Sequence, residues 1–164
     1  MRWLKRKNVN KDIDDSSKDL LKSMLSYKNS IPLFNFEIER ARRYEHALSI
    51  AVFRKKRPNE TKNGSSANGS HGRDASSTSH SFAQAGTILR DHLRNTDVLA
   101  YDLTHNRFVL LLSNTAAQEA SNASIRLCEI VRKEMKLDLS VGISQLGKHG
   151  FTLDHLVSHS DKNC

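Results

Sequence analysis

The chain has 164 residues, enough for one domain with a hydrophobic core, and its formal net charge at pH 7 is +8. Hydrophobic residues make up 37% of the chain and aromatic residues 6%, so the core is expected to be aliphatic. Two cysteines without a framework spacing do not suggest a disulfide scaffold, and no apolar run is long enough to span a bilayer.

The N-terminal segment, residues 1–30, is predicted to be a basic tail followed by a helix. The charged start lacks an apolar stretch, so we expect no signal peptide and a cytoplasmic protein. Leucines and a methionine at helical spacing predict the helix over residues 16–27, and residues 29–32, which end in proline, should break it. A second helix is predicted over residues 33–44, with Phe34, Ile38 and Ala41 on its apolar face.

Residues 31–164 are predicted to form one domain. The apolar run over residues 47–53 is typical of a strand buried on both faces. Residues 54–80 are rich in Ser, Asn, Gly, Lys and Arg without periodicity, which indicates a long flexible insertion. A helix is then predicted over residues 81–94.

The C-terminal half begins with a predicted β-hairpin, with strands at residues 97–101 and 107–112 and a solvent-exposed polar tip at 102–107. A helix over residues 115–135, opened by a capping box of Thr115 and Gln118, leads to a strand at 137–144 and a helix at 151–159. From residue 47 the order is βαββαβ, which predicts an α+β, ferredoxin-like fold. Its four-stranded antiparallel sheet would carry helices on one face and follow an N-terminal helical extension.

Four segments resemble the GGDEF domains of diguanylate cyclases, in the family's order and spacing: E-I-E-R-A-R-R-Y-E-H-A-L-S-I-A-V-F, L-R-N-T-D-V-L-A, N-R-F-V-L-L-L-S-N-T and S-V-G-I. The resemblance covers about residues 33–161. It implies a polymerase-palm-like core, the scaffold on which these enzymes condense two GTP molecules into cyclic di-GMP.

The sequence departs from the family where the resemblance places catalysis. The magnesium-binding aspartate after the first strand falls at about Arg54, and a cation cannot ligate Mg²⁺. The guanine-reading residues fall in the insertion, the aspartate near Ser79. The signature at the hairpin tip, two glycines and two acids before a phenylalanine, is degenerate and one residue longer; it ends in Thr104, His105, Asn106, Arg107 and Phe108. We therefore expect no catalysis, no metal site and no cofactor.

One family site is retained: the R-x-x-D motif that binds cyclic di-GMP in many GGDEF domains matches Arg94 and Asp97. The resemblance adds Arg126 on the helix after the hairpin, and Arg90 lies one helical turn before Arg94. Guanidinium groups can hold phosphate or a guanine edge, and a carboxylate accepts guanine N–H groups. The motif is short, however, and is equally compatible with a surface ion pair or cap.

The sequence therefore predicts a catalytically inactive GGDEF-like signalling domain that binds cyclic di-GMP as a receptor. The alternative is a nucleotide-independent scaffold that binds a protein partner or a second copy of itself. Basic clusters at residues 2–7 and 54–57 leave nucleic-acid binding as a weaker third hypothesis, since no recognition motif accompanies them.

Overall fold

The computed structural model describes Leu20, residues 24–56 and residues 75–164, the side chains of 75–79 excepted. The predicted tail, most of the predicted helix at 16–27 and residues 57–74 of the predicted insertion lie outside the described residues. The described elements, in chain order, are β1 (Leu25–Ser26), α1 (Tyr27–Arg43), β2 (Leu48–Lys55), α2 (Ala75–Asp91), β3 (Val98–Asp102), β4 (Arg107–Ser113), α3 (Ala117–Met135), β5 (Leu139–Gln145) and α4 (Leu153–Lys162).

The strands form one sheet in the order β1-β3-β4-β2-β5. β2 pairs antiparallel with both β4 and β5, so that Val52 lies opposite Val109 on one side and Gly142 on the other. β3 pairs antiparallel with β4, and the short β1 adds a parallel edge to β3. The predicted α+β fold is confirmed, with a fifth strand that the sequence did not indicate.

The two helices of the predicted βαββαβ core, α2 and α3, pack on one face of the sheet, as predicted, whereas α1 and α4, which lie outside that core, cover the other face. Side chains alternate along a strand, and the apolar run of β2 therefore supplies two cores. Ile50 and Val52 pack in a cluster with residues of α1 and α4, whereas Ala51 and Phe53 pack in a second cluster with residues of α2 and α3. This double burial explains why four consecutive residues of β2, Ile50 to Phe53, are apolar.

The first helix differs from the prediction. Leu25 and Ser26 are extended rather than helical, and α1 then runs without a break through Pro32 to Arg43. Ser26 caps it by accepting a hydrogen bond from the Asn29 N–H at 3.3 Å. The proline removes one backbone hydrogen bond near the helix start, but the buried face that includes Phe34 packs on the sheet and holds the helix together.

Three boundaries also differ. The predicted insertion at 54–80 is too long at both ends, because β2 extends to Lys55 and α2 begins at Ala75; α2 then ends at Asp91 rather than at residue 94. The predicted capping box is wrong by one residue: the Glu119 carboxylate accepts from the N–H of Ala116, while the Thr115 hydroxyl donates to the Ser113 carbonyl.

Within the described ranges, no helix combines the length and apolar character needed to cross a membrane.

The hairpin and α4 pack closely against their neighbours. The ring of Phe108 stacks on that of Phe82, with 4.0 Å between centroids and 12° between planes. α4 approaches β5 so closely that a Cβ on Gly142 would collide with the carbonyl oxygen of Ser160. The stack thereby attaches the tip end of β4 to α2, and α4 is held close against β5.

Candidate functional site

The R-x-x-D motif forms the turn that connects α2 to β3. The N–H of Asp97 donates to the Arg94 carbonyl at 3.0 Å, and the Asp97 carboxylate accepts from the Arg94 N–H at 3.2 Å. The capping role that the sequence left open is thus present. The cap uses the backbone N–H and carbonyl of Arg94, whereas the guanidinium belongs to a side chain that is exposed.

Arg94 and Asp97 line a cavity of about 530 Å³ at the base of the hairpin. α3 also lines the cavity and contributes Arg126, together with Asn122 and Glu119 one and two turns earlier. The structure therefore brings three of the four predicted binding residues to one cavity. The volume lies within the range of small-molecule sites, about 300–1,000 Å³.

Arg90, the fourth predicted residue, does not line that cavity. It lines a neighbouring one of about 350 Å³ beside Met24 and Leu25. Arg94 and Asp97 line both cavities, so the motif forms the wall between them. Arg90 is close enough to contribute positive potential but stands on the other side of the motif.

The cavity carries two guanidinium groups and two carboxylates, those of Arg94, Arg126, Asp97 and Glu119. Burial raises the pKa of Asp97 above its ordinary value, although backbone N–H groups of Arg94 and Ser113 and the Arg94 charge act against this rise. The arrangement suits a ligand with anionic groups at one point and N–H donors at another, since arginine forks bind phosphate and carboxylates accept N–H groups.

Sequence reasoning missed several polar residues of this cavity, among them Asn114, Glu119 and Asn122. Asn122 and Glu119 were detectable only by their helical spacing from Arg126. Asn114 has a φ of 51°, in the left-handed region that asparagine tolerates better than most residues. It positions the loop between β4 and α3 at the cavity rim.

The tip of the hairpin holds a different arrangement, centred on Arg54 at the end of β2. Its guanidinium forms a bidentate ion pair with Asp161 of α4, with Nε–Oδ1 at 2.6 Å and Nη2–Oδ2 at 2.8 Å. Its Nη1 donates to the His105 carbonyl at 2.9 Å. The pKa of Asp161 lies below its ordinary value, because the hydrogen bond from Arg54 outweighs the opposing effect of burial.

Arg107 extends this pair into a cluster. Its Nε donates to Asp102 at 3.0 Å and its Nη1 lies 3.2 Å from Asp161, so one guanidinium joins two carboxylates. His105 adds two hydrogen bonds to Asp102, from Nδ1 at 2.8 Å and from its backbone N–H at 3.2 Å. Arg54, Asp102, His105, Arg107 and Asp161 are called the tip cluster below.

The residues that the resemblance aligns with the family signature have separate positions. Thr104 is exposed, Asn106 adopts a φ of 50° in the turn, and Phe108 is buried against α2. Arg107 was expected in solvent at the tip but is buried, because its charge is compensated by carboxylates of the tip cluster. Across the described ranges, no group of three or more His, Cys, Asp or Glu residues is arranged to hold a metal ion.

No protein-family model matches this chain, and no curated protein sequence does. The fold is nevertheless that of GGDEF domains, as shown by comparison with solved structures. The chain is similar to the GGDEF domain of FimX from Pseudomonas aeruginosa, at 12% identity and a TM-score of 0.68 over 87% of this chain and 88% of that one.

Two further structures are similar and were solved with a bound molecule. The GGDEF domain of DgcB from Caulobacter crescentus, in complex with cyclic di-GMP, has 10% identity and a TM-score of 0.63 over 85% of this chain and 82% of that one. The diguanylate cyclase SiaD from Pseudomonas aeruginosa, in complex with its activator SiaC, has 19% identity and a TM-score of 0.64 over 93% of this chain and 60% of that one.

Proposed function

We propose that this chain is a catalytically inactive GGDEF-like signalling domain that binds cyclic di-GMP at the base of its hairpin and acts as a cytoplasmic receptor. The observation that carries the proposal is the convergence of Arg94, Asp97 and Arg126 on one cavity of about 530 Å³. These residues come from two elements that are far apart in the sequence. The solved complex of the similar DgcB domain with cyclic di-GMP supports the choice of ligand.

The cavity chemistry matches the two functional groups of such a ligand. Arg94 and Arg126 both line the cavity and supply forks for phosphate oxygens or a guanine edge. Asp97 and Glu119 supply acceptors for guanine N–H groups. Because Asp97 is already held by the N–H of Arg94, its carboxylate is oriented before the ligand arrives, which reduces the entropy cost of binding.

The tip cluster supports the proposed lack of catalysis. Arg54 stands at about the position where the resemblance places a magnesium ligand, and it is bound to Asp161. A divalent cation at this end of the sheet would have to displace guanidinium groups from the carboxylates. Phosphoryl transfer by this family depends on metal ions to stabilise the developing charge. Incubation of the chain with GTP and Mg²⁺ is expected to yield no cyclic di-GMP, and any product formed at the rate of an active cyclase would contradict this part of the proposal.

Calorimetry with cyclic di-GMP tests the receptor role. We expect binding by the wild-type chain and about tenfold or more weaker binding by Arg94→Ala, since a hydrogen bond to a charged group contributes about 1.5–3 kcal/mol. Arg132→Ala is the matched control, because Arg132 lies on α3 outside the cavity and forms an exposed ion pair with Asp138. Absence of heat from the wild type at tens of micromolar ligand would refute the proposal, as would equal losses in both variants.

The alternative function, a nucleotide-independent scaffold for a protein partner, is favoured by a separate observation. The outer face of α1 exposes large apolar side chains, among them Phe36 and Tyr44. A ligand that binds only the folded state must raise its melting temperature. A melting temperature unchanged by saturating cyclic di-GMP, together with partner binding through α1, would favour the scaffold.

A further inference from the structure

The outer face of α1 carries an apolar and cationic surface that neither core uses. Phe36 and Arg40 lie four residues apart on α1, and Tyr44, the residue that caps the C-terminus of the helix, lines the same surface depression as both. The side chains of Phe36 and Tyr44 are 63% and 59% exposed, whereas Phe34 and Ile38 on the inner face are buried. We call Phe36, Arg40, Arg43 and Tyr44 the α1 outer face.

We propose that the α1 outer face docks an acidic segment of a partner protein that inserts an apolar side chain between Phe36 and Tyr44. The space for that side chain is a depression of about 240 Å³. Its lining consists of the α1 outer face and Glu39. The inference does not depend on cyclic di-GMP, because none of these residues lines the hairpin-base cavity.

The residue types of this surface are those of binding hot spots. Phe, Tyr and Arg are enriched at the centres of protein interfaces, because large rigid side chains bury much area at a low entropy cost. α1 already has a complete inner face for the core. Tyr44 stacks on His46, with 6.1 Å between ring centroids, but neither Phe36 nor Tyr44 joins a hydrophobic core, and their clustering around a depression favours a binding role.

The charges of the last turns of α1 select an acidic partner. Arg40 pairs with Glu37 at 2.9 Å, and Arg42 pairs with Glu39 at 2.9 Å. Arg43 has no ion pair among the described residues, and it borders the depression. A cation at a helix C-terminus also interacts favourably with the helix dipole, but that interaction does not require aromatic neighbours.

A protein segment fits this surface better than a membrane or a nucleic acid does. Within the α1 outer face Arg40 is already paired with Glu37, which leaves Arg43 as a local contact for a carboxylate rather than the broad cationic area that a membrane or duplex DNA binds. An acidic peptide can place its carboxylates near Arg43 and direct its apolar side chain into the depression. Anionic vesicles and duplex DNA are therefore suitable competitors in the test.

Fluorescence anisotropy of the full chain with a labelled random copolymer of glutamate and tyrosine tests the proposal. We expect the copolymer to bind more tightly than polyglutamate, and Phe36→Ser and Arg43→Glu each to weaken binding by about fivefold or more, a larger loss than most interface positions show. Both substitutions are at exposed positions, so the melting temperatures are expected to stay close to that of the wild type.

Two matched controls isolate the surface. Phe151→Ser removes an equally exposed phenylalanine, 61% exposed, just before α4, and Lys133→Glu reverses an exposed charge on α3. Both are expected to bind the copolymer within about twofold of the wild type, as peripheral positions do. Equal losses in the controls and in the α1 variants would overturn the proposal, and so would binding of the copolymer no tighter than of polyglutamate. Complete competition by anionic vesicles or duplex DNA at lower concentrations than unlabelled copolymer would also overturn it.

Discussion

Replacement of Arg107 by methionine is expected to destabilise the domain strongly. The side chains of Arg107 and Asp102 are only 10% and 8% exposed, and the Arg107 guanidinium also contacts Asp161. Methionine retains the apolar stem of the side chain but removes the charge. Asp102 is then left in a buried position without its cationic partner.

The expected loss in the free energy of unfolding depends on the hydrogen bonds that Asp102 keeps in the variant. Removing one partner of a buried ion pair costs about 3–5 kcal/mol. His105 still donates two hydrogen bonds to Asp102, and Asp161 keeps its bidentate pair with Arg54. We therefore expect a loss of about 2–3 kcal/mol in the free energy of unfolding, below the range for a charge left with no partner at all.

The loss should depend on pH in a defined direction. Burial acts to raise the pKa of Asp102, but hydrogen bonds from His105 and Arg107 outweigh it and hold the pKa below its ordinary value. Such a group stabilises the folded state above its unfolded pKa, about 3.9, and that stability is lost as pH falls through the folded pKa. Without Arg107 the pKa of Asp102 rises, so the difference from wild type is full at pH 7 and shrinks as the carboxyl becomes protonated.

Urea unfolding of wild type and variant at pH 7 and near pH 4 measures both effects. Arg107→Met/Asp102→Asn removes the stranded carboxylate and should be more stable at pH 7 than Arg107→Met alone. Arg132→Met is the control, since its ion pair with Asp138 is exposed and contributes below about 1 kcal/mol. A loss below about 1 kcal/mol for Arg107→Met, the value for exposed pairs, or a loss independent of pH, would refute the reasoning.

Three further predictions concern the packing and the thiols. Gly142→Ala should force α4 away from β5, because the new Cβ collides with the Ser160 carbonyl. We expect the free energy of unfolding to fall by about 1–3 kcal/mol and the melting temperature to fall with it. An unchanged melting temperature would contradict this expectation. Phe108→Ala removes a fully buried ring stacked on Phe82 and should lower the free energy of unfolding in urea by about 3–5 kcal/mol. A loss as small as that of a substitution at an exposed position would show that the stack is not formed. Burial raises the pKa of Cys128 to about 11, so iodoacetamide at neutral pH should alkylate it far more slowly in the folded chain than in urea, as peptide mapping would show.

Strand positions were predictable from the sequence, because burial on both faces leaves a continuous apolar run. β2 and β4 were located to within two residues on this basis. The sequence predicts a break at Pro32, because a proline removes a helix hydrogen bond. The helix continues because Phe34 packs on the sheet, and this long-range contact cannot be predicted from the neighbouring residues. β1 is two residues long and depends on pairing with β3, so it has no periodicity of its own.

The hairpin-base cavity was partly predictable, because two of its residues belong to one short sequence motif. Arg94 and Asp97 are three residues apart and form a local turn that the motif itself specifies. Arg126 was placed through the resemblance alone, and the structure brings it to the same cavity. The pairing of Arg54 with Asp161 spans 107 residues, and no local pattern indicates it. Long-range ion pairs of this kind are set by the packing of α4 on the sheet.

The tip cluster has a consequence for how the proposed receptor depends on its surroundings. Its positive charges belong to Arg54 and Arg107, which are covalent parts of the chain, and so the charge balance of the hairpin is independent of the magnesium supply. A single Arg54→Asp change would place three carboxylates around one guanidinium, and mutual repulsion would oppose folding before any metal could bind. Metal chemistry at the tip cluster would therefore require several simultaneous changes, which makes it difficult to reach by stepwise mutation.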